Sequence, residues 1–232
     1  MYDIGICDAG KDTCSVVENM LLYYAEQKVI VFNMQIWYTG EELRDYLARG
    51  GHLDILFLEI ELYGMSGIEI GVYIRKKLNN NGMQIIYMSG KSSYAQQLFK
   101  TQPLDFLVKP IAQEQINDVM ETAVNIIKKK NQRFKFQIGK DYYYVPVADI
   151  VYFESMKRKI KIVTLRETYE FYGKLKDIKK QLPEDFIIIH QSFVINRQHV
   201  LRYTHEKVEL VTGTILGISQ IKRKQVREKF LK

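Results

Sequence analysis

Apolar and polar positions alternate along the first half of the chain in two registers. YDIGIC (2–7) is a short apolar run, and Val16, Val17, Met20, Leu21 and Tyr24 then recur at helical spacing through residues 13–27. KVIVFNMQIW (28–37) predicts a second strand, and EELRDYLARG a second helix stopped at Gly50 and Gly51. DILFLE (54–59) is almost continuously apolar, as a strand buried on both faces should be. Residues 66–79 return to helical spacing and close on the Asn-rich turn NNNG. MQIIYM (83–88), a helix over 91–101, PLDFLV (103–108) and a long helix over 111–130 complete the series. Five strand–helix repeats predict a doubly wound α/β domain around a five-stranded parallel sheet.

After KKKNQRFKF the pattern changes. Residues 133–172 are rich in Tyr, Phe, Val and Ile, with period-two stretches such as KIKIV and YEFY. One amphipathic helix follows over 174–182, then short strands across 187–218 and a basic helical tail over 219–231. This predicts a mostly β, largely antiparallel second domain. The expected division is a regulatory domain over 1–125, a linker over 126–132 and a second domain over 133–232.

Length and charge sharpen that picture. The 232 residues suit two domains. Residues 1–130 hold 13 Lys+Arg and 16 Asp+Glu (net −3), whereas residues 131–232 hold 21 and 11 (net +10), which together give the overall +7. A strongly basic second half points to nucleic acid as its partner. No stretch approaches the roughly 18–20 apolar residues that cross a bilayer, so no membrane association is expected. The opening MYDIGICDAGKD lacks a basic segment ahead of an apolar one, so no secretory leader is expected either. Cys7 and Cys14 have no CxxC spacing or neighbouring His and read as packing thiols, in keeping with a reducing cytoplasmic setting.

Ligands of doubly wound sheets bind beyond the carboxyl ends of the strands. Asp8 follows the first strand, Glu59 ends the third, Ser89 follows the fourth, and Lys109 precedes Pro110 after the fifth. Two acids, a hydroxyl and an ammonium are a set suited to a metal and a phosphoryl group. Asp12 is expected to cap a helix, Asp54 to end a turn, and His52 to lie solvated beside Gly51.

ICDAG, DILFLEIELYGMSGIE, IIYMS and PLDFLVKPI resemble the corresponding blocks of the receiver domains of two-component response regulators, over about residues 1–125. The resemblance implies self-catalysed phosphorylation of an aspartate followed by a change of shape, with a sensor histidine kinase as partner. It makes Asp8 a metal-binding acid, Ser89 the switch hydroxyl, Phe106 the switch aromatic and Lys109 the phosphate-contacting lysine. It also implies a cis Lys109–Pro110 bond. Two positions depart from the pattern: Glu59 stands at the phospho-acceptor aspartate, and Ala9 at the acid adjoining Asp8, with Gly10 next to it. One lost carboxylate weakens a Mg²⁺ site, so no cofactor is expected. One added methylene displaces the acceptor by roughly 1.5 Å, where misplacement of about 1 Å is already costly. Ordinary aspartyl phosphorylation is therefore not expected. Glu59 is either a phosphate mimic reaching Ser89 and Lys109, or inert.

The basic residues of the second half fall between elements. Lys157, Arg158 and Lys159 lie between two strands, Asn196, Arg197, Gln198 and His199 follow SFVI, and Lys222, Arg223, Lys224 and Arg227 lie in the tail. Arg, Asn and Gln on loops can read base edges while Lys holds phosphates. YYYVPVADIVYFES, TYEFYGKLKDIKKQLP and FIIIHQSFVINRQHV resemble the LytTR-type DNA-binding domain over about residues 133–232. This resemblance implies an elongated β fold whose loops enter successive major grooves of double-stranded DNA. It assigns Arg158 and Gln191 to contact positions, with Lys222 and Arg223 in a third region where Gln220 or Ile221 replaces the family's arginine. His190 and Asn196 either touch DNA or hold strand ends. The expected protein is a dimeric DNA-binding regulator, not an enzyme, acting without aspartyl phosphate. A conventional phosphorylation switch and a partner-sequestering module are the alternatives.

Overall fold

The computed structural model describes residues 1–231, in which the chain divides into two compact units between Lys128 and Lys129. In the first, β1 (Tyr2–Cys7), α1 (Lys11–Lys28), β2 (Phe32–Trp37), α2 (Gly40–Ala48) and β3 (Ile55–Glu59) are followed by α3 (Gly67–Val72), which continues as a π-turn over Tyr73–Lys77. Then come β4 (Gln84–Ser89), a 3-10 helix (Ser92–Thr101), β5 (Asp105–Val108) and α4 (Gln113–Asn131). The strands form one parallel sheet in the order β2-β1-β3-β4-β5. All five residues of β3 are buried, because helices cover both faces. One core packs α1 and α4 against Ile4, Ile6, Phe57 and Ile86; the other gathers Leu43, Leu56, Leu58, Ile70 and Tyr87.

Several expectations shift here. The second strand starts at Phe32 rather than residue 28, because α1 runs to Lys28 and Val29 then adopts a left-handed φ of 53°. The helix expected over 91–101 is 3-10, with Leu98 and Thr101 its buried residues. Asp12 lies inside the first turn of α1, whose N-cap is Gly10, so it is not the cap. Ser66 and Glu69 instead build a full capping box on α3. The segment 126–132, expected as a linker, is helical to Asn131. Arg75, buried in the π-turn, donates all its hydrogen bonds to main-chain carbonyls: those of Thr101, Asn80, Met83 and Gln102. It thereby ties the end of the 3-10 helix to the entry of β4.

The second unit opens with a hairpin, β6 (Arg133–Ile138) and β7 (Asp141–Pro146). β8 (Ile150–Met156), β9 (Lys159–Thr164), β10 (Thr168–Tyr172), α5 (Leu175–Lys179), β11 (Phe186–His190) and β12 (Phe193–Asn196) follow. Last come β13 (Val200–Tyr203), β14 (Lys207–Leu210), β15 (Ile215–Gly217) and α6 (Arg223–Leu231). The middle sheet has the order β10-β9-β8-β12-β11 and is antiparallel throughout. Side chains alternate along a strand, and both faces of this sheet are covered. Phe153, Phe186 and Val194 point to a core shared with β6, β7 and α5; Tyr152, Ile187, Ile189 and Ile195 point to one shared with β14, β15 and Val226 of α6.

Candidate regulatory site and nucleic-acid interface

The parallel sheet brings Asp8, Glu59, Ser89 and Lys109 to one end. The three charged members form a closed cluster. Asp8 and Glu59 are buried, and the Lys109 ammonium donates to Asp8 Oδ2 at 2.6 Å and to Glu59 Oε2. The remaining oxygens are also engaged: Asp8 Oδ1 accepts from Gly10 N at 2.8 Å, and Glu59 Oε1 from Ile60 N at 2.7 Å and Glu61 N at 3.0 Å. Burial disfavours the Lys109 ammonium, but hydrogen bonds and charge from Asp8 and Glu59 outweigh it and raise its pKa. Ser89 is fully buried and its Oγ accepts from Lys91 N at 3.2 Å; among the described residues it has no hydrogen bond to Glu59. Phe106 is half-buried against the core that holds Tyr87 and Leu98. The Lys109–Pro110 bond is cis.

Cys7 and Cys14 are free, buried thiols, and burial raises the pKa of each, Cys14 to about 11. Asp54 Oδ2 accepts from Asp3 N at 3.0 Å, and the exposed His52 lies 3.5 Å from Asp3. One contact escaped the sequence altogether. Glu61 accepts from Lys91 Nζ at 2.5 Å and Tyr94 OH at 2.9 Å, fastening the start of the 3-10 helix to the loop after β3.

In the second unit, antiparallel pairing sorts the basic residues by end of the middle sheet. Lys157 and Arg158 form the two-residue turn between β8 and β9, since Met156 pairs with Lys159. Lys157 takes a left-handed φ of 56°. Lys159 is therefore the first residue of β9 and not a loop residue, and it pairs with Glu170 at 3.2 Å. Gln191 and Ser192 form the turn between β11 and β12, where His190 pairs with Phe193. Because Phe193 pairs with Glu154 and Ser155 N donates to Ser192 O at 2.8 Å, the two turns share one end of the sheet. The tail starts there too, where Ser219 N donates to Ile189 O at 3.0 Å; Lys222 follows in a 3-10 turn. Arg158 and Gln191 are exposed, and Ile221 is 91% exposed.

Asn196 and Arg197 lie at the other end of β12, away from those two turns. Asn196 is buried; its Nδ2 donates to Ile150 O at 3.0 Å and its Oδ1 accepts from Gln198 N at 3.1 Å. Arg197 donates to the Lys229 carbonyl at 2.7 Å and pairs with Asp185 at 3.5 Å, seating the end of α6. Arg223 is held by Glu206 at 3.1 Å, so only part of its guanidinium faces outward. His190 Nδ1 accepts from Ser192 N at 3.1 Å and shapes the Gln191–Ser192 turn from within. Sequence reading missed Lys176 and Lys179 of α5 and Lys180 just after it, which line one cavity with Gln191. Their spacing in KLKDIKK was the available signal.

A five-stranded parallel sheet with an acid–lysine cluster at its carboxyl end, followed by a basic β unit with exposed turns, defines a two-domain, DNA-binding transcriptional response regulator. The model of the family described as the response regulator receiver domain matches residues 5–121, and that described as the LytTr DNA-binding domain matches residues 140–231. The chain belongs to the response regulator receiver family and couples that domain to a LytTr DNA-binding domain. It is 29% identical to the transcriptional regulatory protein NatR of Bacillus subtilis (strain 168) over 179 residues, 75% of each chain. It is 28% identical to the sensory transduction protein LytT of the same organism over 159 residues, which is 63% of this chain and 65% of that one, just under two thirds of its length. A solved LytTr DNA-binding domain from Bacillus cereus aligns over 42% of this chain and 95% of its own, with 22% identity and a TM-score of 0.38. No helix among the described residues is long and apolar enough to cross a membrane.

Proposed function

We propose that this regulator binds double-stranded DNA as a dimer and that its receiver operates without aspartyl phosphate. The observation that carries the second part is the closure of the Asp8–Lys109–Glu59 cluster, in which each carboxylate oxygen already accepts a hydrogen bond. In-line attack on phosphorus needs the acceptor oxygen held to within about 1 Å, and both oxygens of Glu59 are instead held toward Lys109 and the loop amides. Mg²⁺ fits this donor set poorly: Ala9 and Gly10 supply no carboxylate, and the ion would have to displace the Lys109 ammonium from both acids. Glu59 bonds to Lys109 and its own loop amides rather than Ser89, which favours an inert site over a phosphate mimic. A sensor histidine kinase is the partner the receiver family implies, acting here by contact rather than phosphoryl transfer.

DNA reading is assigned to the shared end of the middle sheet: Arg158 and Gln191 as base readers, Lys157 and Lys222 as phosphate contacts. Incubation with acetyl phosphate and Mg²⁺ followed by intact mass spectrometry tests the receiver. The expected spectrum shows no added phosphate, and the Glu59→Asp/Ala9→Asp double variant recovers labelling. A stable phosphate on Glu59 would overturn the proposal.

A further inference from the structure

The middle sheet is incompletely covered beside α5. That helix is five residues long, and next to it Leu175, Ile188 and Val194 floor a cavity of about 350 Å³. Ile188 and Val194 are cross-strand partners, set beside the irregularity in pairing between Ile188 and His190. Lys176, Lys179, Lys180 and Gln191 complete the lining, which contains no acid. Positions 176, 179 and 180 are spaced i, i+3, i+4 and share one face of the helix. Lys180 has a loose, exposed contact with Asp177 at 3.7 Å, a type worth little. Lys179 donates to Pro183 O at 3.2 Å. Burial, with the nearby charge of Lys229, lowers the Lys179 pKa, which Glu184 partly offsets; an anion in the cavity would act in the same sense as Glu184.

We propose that this cavity binds a small anionic amphiphile, a carboxylate carried on a medium-length alkyl body. The apolar floor and the cationic rim together select that chemistry. A DNA phosphate would use the lysines and leave the floor empty; a neutral apolar molecule would do the reverse. The volume lies near the lower end of the about 300–1,000 Å³ typical of ligand pockets, which limits the occupant to a chain of medium length. Because Gln191 lines the same cavity, an occupied pocket competes with DNA. That consequence rests on the DNA reading proposed above, whereas ligand binding does not.

Calorimetric titration of the full chain with octanoate, in the absence of DNA, is the test. The expected result is saturable, one-to-one binding in the sub-millimolar range, at least tenfold weaker for octan-1-ol and for acetate and lost for octylamine. Lys176→Gln/Lys180→Gln should weaken octanoate at least tenfold without moving the unfolding temperature, since both side chains are exposed on the cavity rim. No saturable binding, or equal binding by the double variant, would overturn the proposal. Loss of DNA salt dependence in that variant with no octanoate binding would also overturn it, by making the lysines phosphate contacts. If octanoate binds without displacing DNA, the pocket stands and the placement of Gln191 on DNA falls.

Discussion

Replacing Asn196 with alanine should damage the fold and leave base reading intact, while Gln191→Ala should do the opposite. Asn196 is 2% exposed and bridges Ile150 O and Gln198 N across 3.0 and 3.1 Å. Its loss strands a buried acceptor and a partly buried donor, and each unsatisfied group costs about 1–3 kcal/mol. Water reaching Gln198, which is exposed, relieves part of that, so about 2–3 kcal/mol is the expected loss. For a unit of roughly 100 residues each kcal/mol moves the midpoint by about 4–8 °C, giving a fall on the order of 10–20 °C. Gln191 lies in an exposed turn, where substitution changes stability by within about 0.5 kcal/mol, yet a lost base contact costs roughly 1–3 kcal/mol of binding. Scanning calorimetry of the full chain, compared between wild type and variant, reads the shift of the transition that Asn196→Ala moves, and anisotropy on a duplex selected from a random pool reads affinity. The assignment fails if Asn196→Ala keeps the wild-type transition and loses specific binding.

Arg158→Ala should cost roughly 1–3 kcal/mol on the selected duplex and much less on a scrambled one, whereas Lys157→Ala should weaken both alike and reduce the salt slope; equal losses for Arg158→Ala would reduce that turn to electrostatics. Affinity of the full chain should fall steeply between low and moderate salt as counterions are released, and a flat titration would remove the phosphate contacts. Cys14, with its pKa raised to about 11, should resist thiol reagents at pH 8 until the receiver unfolds, and prompt labelling of the native protein would contradict its burial. The same shift makes its contribution to stability complete below pH 9 and lost as pH climbs toward 11, which alkaline unfolding of a Cys14→Ala variant would isolate.

The parallel sheet was legible because period and turn residues are written locally, and strand order then carries Asp8, Glu59, Ser89 and Lys109 to one end. Other features depend on partners that leave no mark in sequence. Arg197 reads as a DNA contact in NRQH, yet its partners are a carbonyl 32 residues away and Asp185. Asn196 and Gln191 belong to one motif, but a strand of about 3.3 Å per residue separates them, so only the pairing partners show that they serve opposite ends. Val16 fits the helical pattern of α1 but is 49% exposed, while Cys14 takes the buried place. Lys159 was assigned to a loop because the strand boundary turns on the tightness of a two-residue turn, which needs a left-handed lysine that propensity would not choose.

Arg75 is a buried cation and Lys109 a half-buried one, and they fasten the receiver in different ways. Lys109 is held by two carboxylates, so its tie is one of charge to charge. The partners of Arg75 are peptide carbonyls, so its tie rests on the fixed fork of the guanidinium. Arg75→Lys would keep the charge and lose the fork that reaches four carbonyls at once. The 80–102 region should then lose its protection from amide exchange while the Asp8–Glu59 end keeps its own.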